Sequence, residues 1–263
     1  MRLHRFYISE KIGERTKLAI NSADLTNQIV RVFRLGIGDR IVLFDGSGFD
    51  YECVLDKINE KSKMIPNSLI ELSVAQTRSS GFLPRREVYL CASVVKKDNF
   101  EFIVEKATEL GVTKIIPVIS ERSEKKSLNE ERLKKISIEA SEQSGRGNLP
   151  VILPIMDLEA MIEDLVAEVL PAKVSPEEVS LTQVPAHVKK PLLLAFHTSG
   201  DTLSSIPDLK SNEPIVVFIG PEGGWSDKEI AMFHSYKIQV VCLGSQILRS
   251  ETAVVAALSK VLL

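Results

Sequence analysis

The sequence predicts a two-part α/β protein, with a small, mostly β domain over residues 1–75 and a larger domain over 76–263 built on a mostly parallel sheet. Three features predict this. Ile215 to Ile219 and Ile238 to Leu243 are short, β-branched apolar runs, each followed by a glycine-bearing loop and then a helix, the pattern of strands buried on both faces of a parallel sheet. From Glu87 onward, strand-like and helix-like segments alternate. The residues before Gln76 read instead as hairpins.

In the first part, Leu25, Ile29, Val32 and Phe33 fall at helical spacing behind a possible cap at Ser22, and Gly36 ends the element. Arg40 to Phe44 and Phe49 to Ile58 form a hairpin through Asp45-Gly46-Ser47-Gly48, and a further β segment is expected around Met64 to Val74. Gln76 to Arg86 turns polar and serves as linker. Beyond it come a strand at Val88 to Val95, a helix opened by Asp98 and Glu101 and ended by Gly111, and a strand at Ile115 to Ile119. A helix opened by Ser127 and Glu130 follows, with Leu133, Ile136 and Ala140 inward. Val151 to Leu153, a helix over Asp157 to Val169 and a strand at Leu192 to Phe196 continue the alternation, with Pro171 to Lys190 as a surface excursion. Ser226 and Glu229 form a capping box for the next helix, and the last helix, from Thr252, is apolar nearly all round and therefore buried.

At 263 residues, 44% hydrophobic and 26% charged, the chain can bury the core of one large or two unequal domains. No apolar run reaches the roughly 20 residues a spanning helix needs, and MRLHRFYISE lacks the apolar core of a signal peptide, so a cytoplasmic protein without membrane attachment is expected. Cys53, Cys91 and Cys242 are far apart in strand-like runs and read as buried thiols, and no His pair has metal-ligand spacing, so no metal is expected. The net charge of −2 argues against an indiscriminate polyanion binder, although Arg2, Arg5, Arg31 and Arg34 give the first part a local excess that an ordinary solvated surface would also show.

Three loops leave strands at the carboxyl edge of the predicted sheet, His197 to Gly200, Gly220 to Trp225 and Gly244 to Glu251, and should face one ligand. Neither GxGxxG nor GxxxxGK[ST] is present, and Glu222 within Gly220-Pro221-Glu222-Gly223-Gly224 would repel a phosphate. Glycines there allow close approach of backbone groups to a flat neutral ring, and Glu222 suits a hydroxyl or cationic group; a tight turn is the plainer explanation, but it needs fewer glycines. No GxSxG elbow, Cys–His pair or paired carboxylates point to a hydrolase.

These blocks carry a resemblance. The FDGSG hairpin, KATELGV at Lys106 to Val112, SERS at Ser120 to Ser123, EQSGR at Glu142 to Arg146, GPEGG followed by WSDKE, and LGSQILRSETA near the C-terminus, in this order over nearly the whole chain, resemble the RsmE family. These are ribosomal small-subunit RNA uridine-N3 methyltransferases of the SPOUT superfamily. The resemblance implies a PUA-like β-barrel that binds RNA, then an α/β domain with a trefoil knot that binds S-adenosylmethionine and forms a homodimer. It implies that His197, Thr198, Ile219, Gly220, Glu222, Gly223, Leu243, Gly244, Ile247, Leu248, Glu251 and Thr252 hold the cofactor. It further implies 16S rRNA, within the assembled 30S subunit, as substrate. Arg2, Arg5, Arg31, Arg34, Arg122, Lys125, Lys126 and Arg146 are the candidates for its phosphates, though each is equally ordinary as a surface charge. Uracil N3 must lose an imide proton as it is methylated, and Arg249 is the candidate to stabilise that charge; the alternative is a structural arginine pairing Glu251 or capping backbone carbonyls. The chain departs from the family in carrying Ser245-Gln246 where Pro-Arg is usual, and in the length of the Pro171 to Lys190 excursion. A catalytically weakened RNA-binding or assembly protein, or a methyltransferase acting on tRNA, are the alternative readings.

Overall fold

The computed structural model describes residues 3–59, 69–84, 86–124, 127–169, 191–203, 206, 209 and 212–263. They form two compact units, residues 1–83 with 138–149, and residues 84–137 with 150–263. The predicted boundary at 75/76 therefore moves. The expected linker is in part strand, and a distant segment of sequence joins the first unit.

That unit contains β1 (Arg5–Tyr7), β2 (Lys17–Ile20), α1 (Ala23–Asn27), β3 (Arg40–Phe44), β4 (Phe49–Asn59) and β5 (Leu69–Ser79). Its sheet runs β1-β3-β4-β5-β2, antiparallel except for β1 against β3. Inward positions of these strands, among them Phe6, Leu18, Ile41, Leu43, Leu55 and Leu72, make one core with Ile29. The β3–β4 turn needs its glycines, since Gly46 and Gly48 lie at φ 77° and 87°. Asp45 fixes the turn from inside, its buried carboxylate accepting the Ile12 N–H at 2.7 Å and the Ser47 N–H at 2.9 Å. The predicted N-terminal helix is shorter than expected. Ser22 caps it, accepting the Leu25 N–H at 3.2 Å, but after Asn27 the chain widens into a π-helical turn over Gln28–Val32. An i→i+5 turn breaks the 3.6-residue period, so Ile29 stays buried while Val32 and Phe33 are exposed.

The second unit contains β6 (Val88–Ser93), α2 (Lys97–Leu110), β7 (Lys114–Ile119), the start of α3 (Glu130–Ser144), β8 (Val151–Ile152), β9 (Met156–Asp157) and α4 (Leu158–Val169). It continues with β10 (Leu192–Thr202), β11 (Ile215–Ile219), α5 (Asp227–Ser235), β12 (Gln239–Cys242) and α6 (Ser250–Leu262). The sheet order is β12-β10-β11-β6-β7-β8, with β9 also on β7, and every pair is parallel. One face packs Leu90 and Val217 against Phe100 and Ile103 of α2 and Val254 and Leu258 of α6. The other packs Cys91 and Phe218 against Ile162 of α4 and Phe233 of α5. Helices on both faces explain why β11 is buried at all five positions. Two predicted caps are corrected. Lys96, not Asp98, precedes α2, and Asn129 rather than Ser127 receives the first-turn N–H of α3, from Arg132 at 3.0 Å. Gly111 ends α2 in the left-handed conformation, φ 106°, as predicted.

Cys53 and Cys91 are fully buried and Cys242 half-buried; burial pushes the Cys53 thiol up to about 12. Among the described residues no helix is long and apolar enough to cross a membrane. The Pro171 to Lys190 excursion and the Met64 end of the predicted β segment lie outside the described residues.

Candidate active site

The carboxyl ends of β10, β11 and β12 adjoin in the sheet, and the segments leaving them line one cleft of about 360 Å³. On β10 the sequence predicts a loop after Phe196. The strand instead resumes, because Phe196 and Asp201 both pair with Val241 and the four residues His197 to Gly200 bulge out between them. Gly200 makes this possible, since a Cβ there would lie 2.5 Å from the Val241 carbonyl carbon. On the bulge, His197 Nδ1 lies 2.8 Å from the Ser199 hydroxyl.

The Gly220 to Trp225 loop is braced from several sides. The buried Trp225 indole donates to the Phe196 carbonyl at 3.1 Å, tying the end of β10 to the loop after β11. Gly220 sits so close to that ring that a Cβ would lie 3.2 Å from it. Gly224 donates to the Pro221 carbonyl at 2.8 Å, closing a turn, and the Ser250 hydroxyl at the head of α6 donates to the Gly220 carbonyl at 2.8 Å. From β7, Arg122 donates to the carbonyls of Gly223 at 2.7 Å and Trp225 at 3.3 Å. The capping box of α5 forms as predicted, and it does more than cap. The buried Glu229 carboxylate accepts the Ser226 N–H at 2.7 Å and also the Glu121 N–H at 2.8 Å, joining α5 to the loop that carries Arg122. We expect Glu229→Ala to leave both N–H groups unsatisfied and cost about 1 to 3 kcal/mol. A melting temperature lower by several degrees in scanning fluorimetry is the expected reading.

The third wall, Leu243 to Leu248, is open to solvent; Arg249 follows it directly but does not itself line the cleft. Ile247 is 87% exposed and Leu248 36%, and Gln246 lines the cleft where the resemblance leads one to expect an arginine. Arg249 is the N-cap residue of α6, in extended conformation, and its exposed side chain makes no capping hydrogen bond. Among the described residues no ion pair joins it to Glu251. One carboxylate oxygen of Glu251 is buried with no hydrogen-bond partner. Of the residues expected to hold a cofactor, His197, Thr198, Ile219, Gly220, Glu222 and Gly223 line the cleft, as do Leu243, Gly244, Ile247 and Leu248; Glu251 and Thr252 do not. A larger hollow of about 830 Å³ opens between α4 and α5, but none of the expected site residues lines it.

Residues 83–262 match the family described as RNA methyltransferase domain. The chain belongs to this RNA methyltransferase family. Residues 29–63 of the methyltransferase match the RNA methyltransferase PUA domain. The chain is 31% identical to "Ribosomal RNA small subunit methyltransferase E" of Synechocystis sp., over 96% of this chain and 74% of the relative. It is 29% identical to the protein of the same name from Rickettsia conorii, over 99% and 96%. A crystal structure of that enzyme from Neisseria gonorrhoeae, bound to S-adenosyl methionine, superposes with a TM-score of 0.78 at 26% identity, covering 98% of this chain and 96% of that one.

The basic residues proposed from sequence scatter in role. Arg5 and Arg146 are corrected. The Arg5 guanidinium makes a two-pronged pair with Asp50 at 2.8 and 2.9 Å and donates to the Arg146 carbonyl at 2.9 Å, with 6% of its side chain exposed. Arg146 is 3% exposed, against Asn148, and burial lowers its guanidinium to about 10. Both hold the 138–149 segment in the first unit, helped by Glu142, which accepts the Tyr7 N–H at 2.9 Å, and neither faces solvent as a phosphate contact must. Arg122 is engaged with the cleft loop. Arg31 and Arg34 are exposed, and Arg2, Lys125 and Lys126 lie outside the described residues. The sequence reading missed Trp225 and Ser250 as loop braces; an indole directly after Gly223-Gly224 was the available signal.

Proposed function

We propose that this methyltransferase transfers the methyl group of S-adenosylmethionine to N3 of a uridine in 16S rRNA, acting on the assembled 30S subunit in the cytoplasm as a homodimer. The observation that carries the reading is the three-walled cleft at the carboxyl edge of a parallel sheet, where such folds bind ligands. Its fit to the cofactor is chemical. The volume is that of a small-molecule site, the walls are glycine-loop backbone with Ile219, Leu243 and Leu248, and Glu222 adds a carboxylate suited to a hydroxyl or cation.

When bound, S-adenosylmethionine supplies an electrophilic methyl group. The chain supplies the rest. The glycine loops orient the ligand, Ile219 and Leu243 exclude water from one side, and Arg249, exposed at the head of α6 next to the cleft-lining Leu248, donates to the uracil oxygens as N3 gives up its proton to solvent and takes the methyl group. Each unit by which the N3 pKa falls corresponds to about 1.4 kcal/mol. The target base has to leave its stack to reach the cleft, which favours single-stranded or loop RNA.

Mass spectrometry of 16S rRNA from a deletion strain should show the loss of one methyluridine, restored by complementation; an unchanged pattern would refute the assignment. Gln246 in the cleft wall favours a second reading, a catalytically silent RNA-binding protein, which predicts cofactor binding by calorimetry without methyl transfer. For the homodimer, α6 is flanked by exposed apolar residues, Leu263 at 92% and Ile247 at 87%, that a two-fold partner would cover. Light scattering at micromolar concentration should give about twice the 29.2 kDa of one chain.

A further inference from the structure

Phe33 follows the π-helical turn of the first unit and is 38% exposed. The buried ring of Phe6 backs it edge-on at 5.4 Å, and the His4 ring lies 4.3 Å away, tilted by 46°. His4 is itself fixed, its carbonyl accepting the Val42 N–H at 2.8 Å. Close in sequence to Phe33, Val32 is 63% exposed and Ile37 67%. Apolar and aromatic surface gathered this way marks a contact site.

The residue after Phe33 adds charge, at a conformational cost. Phe33 donates to the Gln28 carbonyl at 2.9 Å and Leu35 to the Ile29 carbonyl at 3.1 Å, so Arg34 occupies the left-handed position that closes a helical segment. Its φ is 56°, where glycine would sit without steric penalty. An arginine at this position gives up stability and gains an exposed cation on the residue next to an exposed phenylalanine.

We propose that this patch seats one unpaired nucleotide of the RNA substrate, the base stacked on the Phe33–His4 pair and a phosphate held by Arg34. The assignment presupposes that the protein acts on rRNA, and it adds the chemistry by which its first unit grips a single strand. A nucleotide needs both a ring to stack on and a cation for its phosphate, and the patch offers the two on adjacent residues. An apolar protein surface would use the rings and leave the arginine at its strained φ without a role.

The test uses the full chain with Arg34→Gly and Phe33→Leu, and with Lys237→Gly as control, since Lys237 has a similar φ of 57° in the other unit. Binding of a fluorescein-labelled single-stranded oligoribonucleotide is followed by anisotropy over a salt series, beside melting temperature, sedimentation and methyl transfer to 30S subunits from a deletion strain. Arg34→Gly should melt at or above the wild type, bind RNA several-fold more weakly and lower the log–log salt slope by about 0.7. Phe33→Leu should weaken binding roughly tenfold with the slope unchanged. Lys237→Gly should bind RNA as the wild type does. The stacking site is overturned if both first-unit variants keep wild-type RNA affinity, if Arg34→Gly melts below the wild type, or if Phe33→Leu changes the association state with RNA affinity intact. Wild-type protein that neither binds the oligonucleotide nor methylates the subunits would instead overturn the rRNA methyltransferase reading itself.

Discussion

Arg249→Ala is expected to lower kcat by about 10²- to 10³-fold while leaving the affinity for S-adenosylmethionine nearly unchanged. Its guanidinium is exposed at the head of α6 and makes no capping bond, and the ion pair with Glu251 that would give it a structural role is not formed among the described residues. A group so placed contributes little to the resting fold. Its interaction energy is available for charge that develops on the base, and an interaction made mainly in the transition state changes rate without changing ground-state binding. Glu251→Gln is the informative companion. If the two residues worked as a pair, both variants would show the same modest loss of stability; on the present geometry they diverge, with Arg249→Ala losing rate at wild-type melting temperature and Glu251→Gln, whose buried oxygen lies outside the cleft lining, changing melting temperature with the rate nearly kept. Single-turnover methylation of 30S subunits with saturating cofactor separates the cases, and near-wild-type turnover by Arg249→Ala would remove it from the chemistry.

Gly200→Ala should produce the largest loss of stability for the smallest change of side chain. The added Cβ would meet Val241 backbone atoms at 2.5 to 2.6 Å, and neither partner is a side chain that can rotate away. Relief requires moving β12 from β10 or flattening the bulge that carries His197 and Thr198 into the cleft. Overpacking of this kind costs about 1 to 3 kcal/mol, or roughly 2 to 12 °C in melting temperature for a domain of this size. Cofactor affinity should fall with it, because the same bulge forms one wall. Gly81→Ala serves as control, since a Cβ there has nothing within 4 Å. Equal melting temperatures for the two variants, measured by scanning fluorimetry, would show that the close approach at Gly200 is tolerated.

What the sequence made legible was chiefly local. The Ser226–Glu229 capping box, the Gly111 stop and the Asp45 to Gly48 turn are each decided within a few residues, and each formed. The shared sheet edge of the three loops was also legible, because apolar runs of five or six residues followed by glycine have few alternatives in a parallel sheet. Long-range partnerships were not. Nothing in His197-Thr-Ser-Gly200 announces that the strand resumes at Asp201, since a bulge has the same polar, glycine-bearing composition as a turn. Nor does the sequence tell a buried arginine from an exposed one. Arg5 and Arg146 look like Arg31 and Arg34 until Asp50 and the 138–149 segment are brought beside them by the fold. The π-helical turn was hidden for a related reason, because its first residues keep the ordinary helical spacing.

The bracing of the Gly220 to Trp225 loop bears on the thermodynamics of ligand capture. Bonds from Trp225 to Phe196, Ser250 to Gly220 and Arg122 to Gly223 fix that loop as part of folding, so its backbone has little freedom left to lose when a ligand arrives. The ordering entropy of association falls instead on the exposed Gly244 to Leu248 wall. Amide hydrogen exchange in the free protein should therefore be slow across the first loop and fast across the second, and ligand should slow only the latter. Sequence changes in that exposed wall, such as Ser245-Gln246, then adjust affinity through the disorder they leave to be removed, without disturbing the frame that gives the cleft its shape.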